Sequence, residues 1–324
     1  MNESSDHSTS NEGGNEPRAM TNEDQLLSAP PSFGERVRKV FVGPRGLRPG
    51  WRFLVYLVMF GALAFLFLFV TGRVFPQARQ KSPPVWVGMM GEFCVLLAAL
   101  IPAWVMGRFE QRSLGDYGLP RRGAFGKQFW VGVVWGLVAL SVLLFAIRGA
   151  GDFTLGGLAL HGPRILKYAA FWGVVFLIVG FFEEFLFRGY TLFTLTQGMG
   201  FWPSALLLSA IFGGVHLGNA GEAWIGALAA GMIGLFFCLT VRRTGSLWFA
   251  VGFHAAWDWA ESYLYSVPDS GSVAPGHLLN SSFDGSRWIT GGSVGPEGSV
   301  FVLVLIVVMW VVFERVYPEA KYGA

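Results

Sequence analysis

Runs of apolar residues about as long as a bilayer is thick set what this chain can fold into. They lie near 52–72, 85–106, 128–147, 167–187, 202–217, 223–241, 245–265 and 299–316. About 20 such residues cross the hydrocarbon as a helix, and lipid offers no partner for an open backbone N–H or C=O. Charged residues make up 14% of the chain, against roughly 25% in a soluble domain, so lipid is the expected solvent. The expected fold is all-α, a polytopic membrane bundle of about eight transmembrane helices. Pro83-Pro84 precede the second run and favour a helix start there. The fifth run is short and broken by glycine, with Pro203 suited to its first turn.

Residues 1–31 are rich in Ser, Asn, Glu and Gly and carry too little apolar surface to offset chain entropy, so a disordered tail is expected. A basic juxtamembrane segment is expected over 32–51, from Arg36, Arg38, Lys39, Arg45 and Arg48, and suits an anionic leaflet. The transmembrane domain follows over 52–318. An N-in, C-in arrangement puts 17 Lys and Arg on the cytoplasmic side against 7 outside, the asymmetry expected of a multi-pass protein; in a bacterium this is the plasma (inner) membrane. The bilayer is one partner. A net charge of +3 without basic-aromatic interleaving excludes nucleic acid as another. Cys94 and Cys238 sit alone in apolar runs, which excludes a disulfide framework and a cysteine zinc site.

Ionisable residues inside the spans mark functional candidates, because charge there is costly unless paired or wetted. They are Glu92, Glu183, Glu184, His216, His254, Asp258 and Glu261. Glu184 and Arg188 are four residues apart and share a helical face, as do His254 and Asp258. Glu183 points about 100° away from Glu184, so one carboxylate can be held by Arg188 while the other enters a cavity. Phe212 precedes His216 by one turn, with Gly213-Gly214 allowing close approach. Singly, each has a plain structural reading as a packing histidine, a helix-to-helix polar clamp or an interfacial acid. Glu261, near a helix end, is expected at the interface, and Glu92 receives no role. The Gly, Ser and Pro-rich loop 267–298 is expected opposite the site.

Taken together the motifs are more specific. Glu-Glu-x-x-x-Arg (Glu183, Glu184, Arg188), Phe-x-x-x-His (Phe212, His216) and His-x-x-x-Asp (His254, Asp258) occur on three spans in that order. They resemble the CPBP family of CAAX prenyl endopeptidases and bacterial Abi-type membrane proteins. The flanking stretches FFEEFLFRGY and GSLWFAVGFHAAWDW agree, and SLGDYGLPRR is similar to the lead-in of the family core. The likeness spans about 110–265. Where the third motif often has Asn this chain has Asp258, a variant that many members of the family share.

The resemblance implies an intramembrane endopeptidase acting in a cytoplasm-facing cavity on a membrane-anchored or lipidated peptide. Peptide hydrolysis needs an activated water, oxyanion stabilisation and a proton for the leaving amine. The family implies Glu183 as base, His216 on the same water, His254 with Asp258 at the oxyanion, and Glu184 with Arg188 as a clamp. A catalytic Zn2+ on His216, His254 and either Glu183 or Asp258 is the metal version, although the compact HExxH signature is lacking. A non-proteolytic immunity or scaffold protein and a proton-coupled transporter are the competing functions. No Ser-based elbow or paired intramembrane aspartates compete.

Overall fold

The computed structural model describes residues 32–323 except 45, 81–83, 220 and 222. The expected disordered tail, 1–31, lies outside the described residues. Two compact units divide the chain, Met1–Leu47 and Arg48–Ala324.

In the first unit, α1 (Phe33–Phe41) starts with a capping box: Ser32 Oγ accepts from the Glu35 amide and Glu35 Oε2 from the Ser32 amide. It carries Arg36, Arg38 and Lys39 in the segment expected to be basic and juxtamembrane, and Phe33, Val37, Val40 and Phe41 are exposed. Strand β1 (Val42–Gly43) then pairs antiparallel with β2 (Gly46–Leu47).

The second unit is an all-α membrane bundle. Its main helices are α2 (Pro49–Val74), α3 (Val85–Glu110), α4 (Lys127–Gly149), α5 (Pro163–Arg188), α6 (Tyr190–Met199), α7 (Phe201–His216), α8 (Trp224–Thr244), α9 (Trp248–Trp259) and α10 (Val300–Val316), with a single helical turn over Arg287–Thr290. Among the described residues, five stretches are helices long and apolar enough to cross a bilayer: α2, α3, α4, α5 continued by α6, and α8. The other three expected runs form the shorter helices α7, α9 and α10. Residues 190–199, between the fourth and fifth expected runs, are helical as well. Gly189, with φ −87° and ψ −121°, separates α5 from α6.

Polar anchors gather at one end of the bundle. Arg52 pairs with Glu110 at 2.6 Å and reaches Gln197 at 2.8 Å, and Tyr190 donates to the second Glu110 oxygen at 2.6 Å. Near the C-terminus, the Tyr322 hydroxyl donates to the Phe193 carbonyl at that same end. The opposite end carries β3 (Phe153–Thr154), paired antiparallel with β4 (Ser282–Phe283), and the loop 266–299.

Lipid gives helices no hydrophobic reason to associate, so close packing must hold them. Where α4 meets α9, glycine makes that packing tight. A Cβ on Gly132 would fall 2.1 Å from the Phe249 carbonyl oxygen, and one on Gly252 would fall 2.2 Å from that of Phe129. Helix α9 is thereby pressed against α4 on one side. Gly180 of α5 lets it approach on the other, where a Cβ would lie 3.0 Å from the Ala255 amide and 3.3 Å from His254 Cβ. This places His254 beside the acidic pair on α5.

Candidate active site

Arg188 closes α5 with its side chain fully buried. Its Nη1 donates to Glu184 Oε1 at 3.2 Å, and its guanidinium carbon lies 4.2 Å from the Phe212 ring centre. Gly234 on α8 makes room for it, since a Cβ there would meet Nη2 at 2.2 Å. Aromatic faces attract a desolvated cation, so Phe212, with Phe187 and Phe237 near 5.6 and 5.8 Å, compensates part of the burial.

The same Glu184 oxygen meets His254 Nδ1 at 2.9 Å. A carboxylate only accepts, so Nδ1 carries the proton and the ring orientation is fixed. Nε2 then points to Glu183 Oε2 at 3.8 Å and Asp258 Oδ2 at 3.5 Å. The hydrogen bond that orients the imidazole comes from Glu184, which therefore serves Arg188 and His254 together, while Asp258 stands by Nε2. Although Glu183 and Glu184 leave α5 in different directions, both reach this one histidine.

His216, at the end of α7, places Nδ1 2.8 Å from the Phe212 carbonyl. That carbonyl accepts, so Nδ1–H donates and Nε2 is left for other partners. Glu183, His216, His254 and Asp258 line one cavity of about 180 Å³, room for several waters. Phe176, Val179, Ile233, Val302, Ile306 and Met309 supply its apolar wall. Glu92, on α3, lies within electrostatic reach of Glu183.

Asp269, Ser270 and Glu297 from the loop also line this cavity. The loop expected opposite the site thus forms part of it, and the cavity extends from Glu183 toward the loop end of the bundle, away from Arg52 and Glu110. Partial burial, with Glu297 beside it, pushes the Asp269 carboxyl up to about 7. Glu261 is not interfacial: it is fully buried in a π-helical turn over Ala260–Leu264, and neither carboxylate oxygen has a hydrogen-bond partner. Acids in a Gly, Ser and Pro-rich loop read as solvated, so the sequence carries no local signal for Asp269 or Glu297.

The expected zinc ligands do not converge. Among the described residues the one group of three or more candidate ligands with mutually close donor atoms is Asp258, Asp269 and Glu297, within 4.8 Å of one another. Glu183, His216 and His254 form no such group: His254 Nε2 comes within 3.8 Å of Glu183 Oε2, but the three donor atoms are not gathered around one point. This set does not fit a three-ligand zinc centre.

Residues 165–260 match the family model of the type II CAAX prenyl endopeptidase Rce1-like proteins. No curated protein matches the chain. The matched segment contains the acidic pair, Arg188, both histidines and Asp258, and it lies inside the 110–265 stretch whose motifs carry the resemblance. Over this core the chain, an integral multi-pass membrane protein, is similar to the CAAX prenyl endopeptidases.

Proposed function

We propose that the protein is an intramembrane endopeptidase that hydrolyses a peptide bond of a membrane-associated or lipidated substrate with a water activated by Glu183. The observation that carries this reading is the approach of His254 Nε2 to Glu183 Oε2 at 3.8 Å in a shared cavity. With hydrogen-bond legs of about 2.8 Å, both groups can contact one water or one tetrahedral centre. Glu183 takes the water proton, and the hydroxide adds to the scissile carbonyl. His254, through an Nε2 proton, donates to the oxyanion. Glu183 returns its proton to the departing amine as the tetrahedral centre collapses. His216 holds the water through Nε2, and Glu184 with Arg188 positions His254. The apolar wall of Ile233, Val302, Ile306 and Met309 suits a substrate that arrives through lipid.

Hydrolysis of a quenched fluorescent farnesylated CAAX peptide by the full chain in nanodiscs tests the proposal. Glu183→Gln removes the base while keeping shape, and cleavage should fall by about 10²–10⁴-fold with the melting temperature retained. Equal cleavage by wild type and Glu183→Gln would reject the assignment. If wild type cleaves no lipidated peptide, the scaffold or immunity reading takes its place.

A further inference from the structure

We propose that Asp258, Asp269 and Glu297, with the buried Glu261 carboxylate beside them, form a binding site for a hard divalent cation, calcium in particular, which ties the 266–299 loop to the end of α9. One oxygen each from Asp258, Asp269 and Glu297 lies within 4.8 Å of the others. Ca2+ binds oxygen at about 2.4 Å, so ligands on opposite sides of one ion stand about 4.8 Å apart. The three carboxylates thus already occupy the volume of a single coordination sphere.

Glu261 supplies the independent observation. Its side chain is fully buried and neither oxygen has a hydrogen bond of ordinary geometry, with only the uncharged Trp257 indole N–H turned toward it. A buried carboxylate in that condition is costly unless a cation or proton neutralises it. It is aimed at the loop segments that carry the other acids: a Cβ on Gly295 would lie 3.1 Å from Glu261 Oε1 and 2.0 Å from the Pro268 carbonyl oxygen. Gly295 is two residues from Glu297, and Pro268 adjoins Asp269. Asp258, Asp269 and Glu297 all lie within electrostatic reach of Glu261.

The surroundings hold the ligands without neutralising them. Ser262 donates to Asp269 Oδ2 at 2.9 Å, and Ser270 donates to Glu297 Oε2 at 3.0 Å. Among the described residues, the ion pairs engage Arg52, Arg188, Arg243 and His254, and only His254 reaches the cluster, through Asp258. An all-oxygen, carboxylate-rich set selects calcium-like ions over zinc or copper. The loop is bound back on itself nearby, with the Gly271 amide donating to the Val294 carbonyl at 3.0 Å. A cation would therefore join three chain segments distant in sequence.

The test reads cation binding and stands apart from the peptidase reading. The full chain, purified in detergent and stripped with EDTA, is titrated with Tb3+ under tryptophan excitation, since Trp257 adjoins Asp258. Ca2+ is then used as competitor, and melting is followed with and without Ca2+. Ca2+ at about 1 mM should displace Tb3+ and raise the melting temperature. Asp269→Asn and Glu297→Gln should each weaken Ca2+ binding at least about tenfold. In EDTA both variants should melt at or above the wild-type temperature, because carboxylate repulsion is relieved, and this shows that they fold. The proposal is overturned if wild type shows neither Ca2+-displaceable Tb3+ nor a Ca2+-dependent shift, which leaves protons as the neutralising partner. Binding undiminished in the Asp269→Asn/Glu297→Gln protein overturns it equally.

Discussion

Glu184 Oε1 accepts from His254 Nδ1 at 2.9 Å and from Arg188 Nη1 at 3.2 Å, so one buried oxygen joins the closing turn of α5 to the middle of α9. The histidine's orientation depends on a residue that need not touch substrate. Glu184→Gln keeps an oxygen but puts an amide N–H where a carboxylate oxygen stood, beside a guanidinium with unpartnered N–H groups. If His254 donates to the oxyanion, kcat should fall by about 10²–10³-fold with KM nearly unchanged. Glu184→Asp should recover part of that loss. The pH profile of kcat on a lipidated peptide separates this from simple unfolding: a disturbed His254 shifts the profile, whereas unfolding lowers the amount of active enzyme and leaves the profile unchanged.

Arg188 tests the same joint from its other side. Arg188→Met leaves the Glu184 carboxylate buried with only the histidine as partner, and losing one member of a buried ion pair costs about 3–5 kcal/mol. Arg188→Lys restores charge but not the flat guanidinium against Phe212, so it should recover only part. Unfolding of the full chain in mixed detergent and SDS gives the order wild type, Lys, Met. Equal stability of all three would show that the buried pair carries no net stabilisation.

The glycine contacts between α4 and α9 link packing to chemistry. A methyl group on Gly132 or Gly136 meets the Phe249 or Phe253 carbonyl oxygen at 2.1 or 2.4 Å, so backbone must move. Overpacking of this kind costs about 1–3 kcal/mol. Because α9 carries His254, peptidase activity should drop in Gly132→Ala and Gly136→Ala even where the protein remains folded. Gly88→Ala, with nothing within 4 Å of the added methyl, is the control and should be neutral. Melting temperature and activity measured on all three variants decide it.

Much of this architecture is legible in the sequence because lipid allows few answers to a long apolar run. The positions of α3, α4 and α5 follow from hydropathy, and the i,i+4 pairs Glu184/Arg188 and His254/Asp258 from helical spacing. Tertiary facts were not legible. That Glu184 serves both Arg188 and His254 depends on the close approach of α9 to α5 at Gly180, which no pairwise spacing encodes. Asp269 and Glu297 join the site only because the loop folds back over the end of α9, and an acid in a Gly-rich loop looks the same whether solvated or buried. Helix α6 was hidden for another reason: Gly189 breaks the α5 pattern just where a span was expected to end.

The loop acids also make the protein's stability depend on pH. The Asp269 carboxyl is raised from its ordinary 3.8 to about 7 by partial burial, reinforced by Glu297. Asp258, Glu297 and Glu183 face it with negative charge, and His254 opposes them. A carboxyl whose folded value is raised binds more protons when folded than when unfolded. Its stabilising contribution is therefore complete below about pH 4 and is lost as pH rises through about 7. Hydrogen exchange of the 266–299 loop in EDTA, corrected for intrinsic pH dependence, should show protection falling across that window. Asp269→Asn removes the titrating group and should flatten the profile, with protection at pH 8 higher than in wild type because the repulsion from Glu297 is gone. A wild-type profile already flat between pH 4 and 8 would show that Asp269 stays ionised within the folded loop.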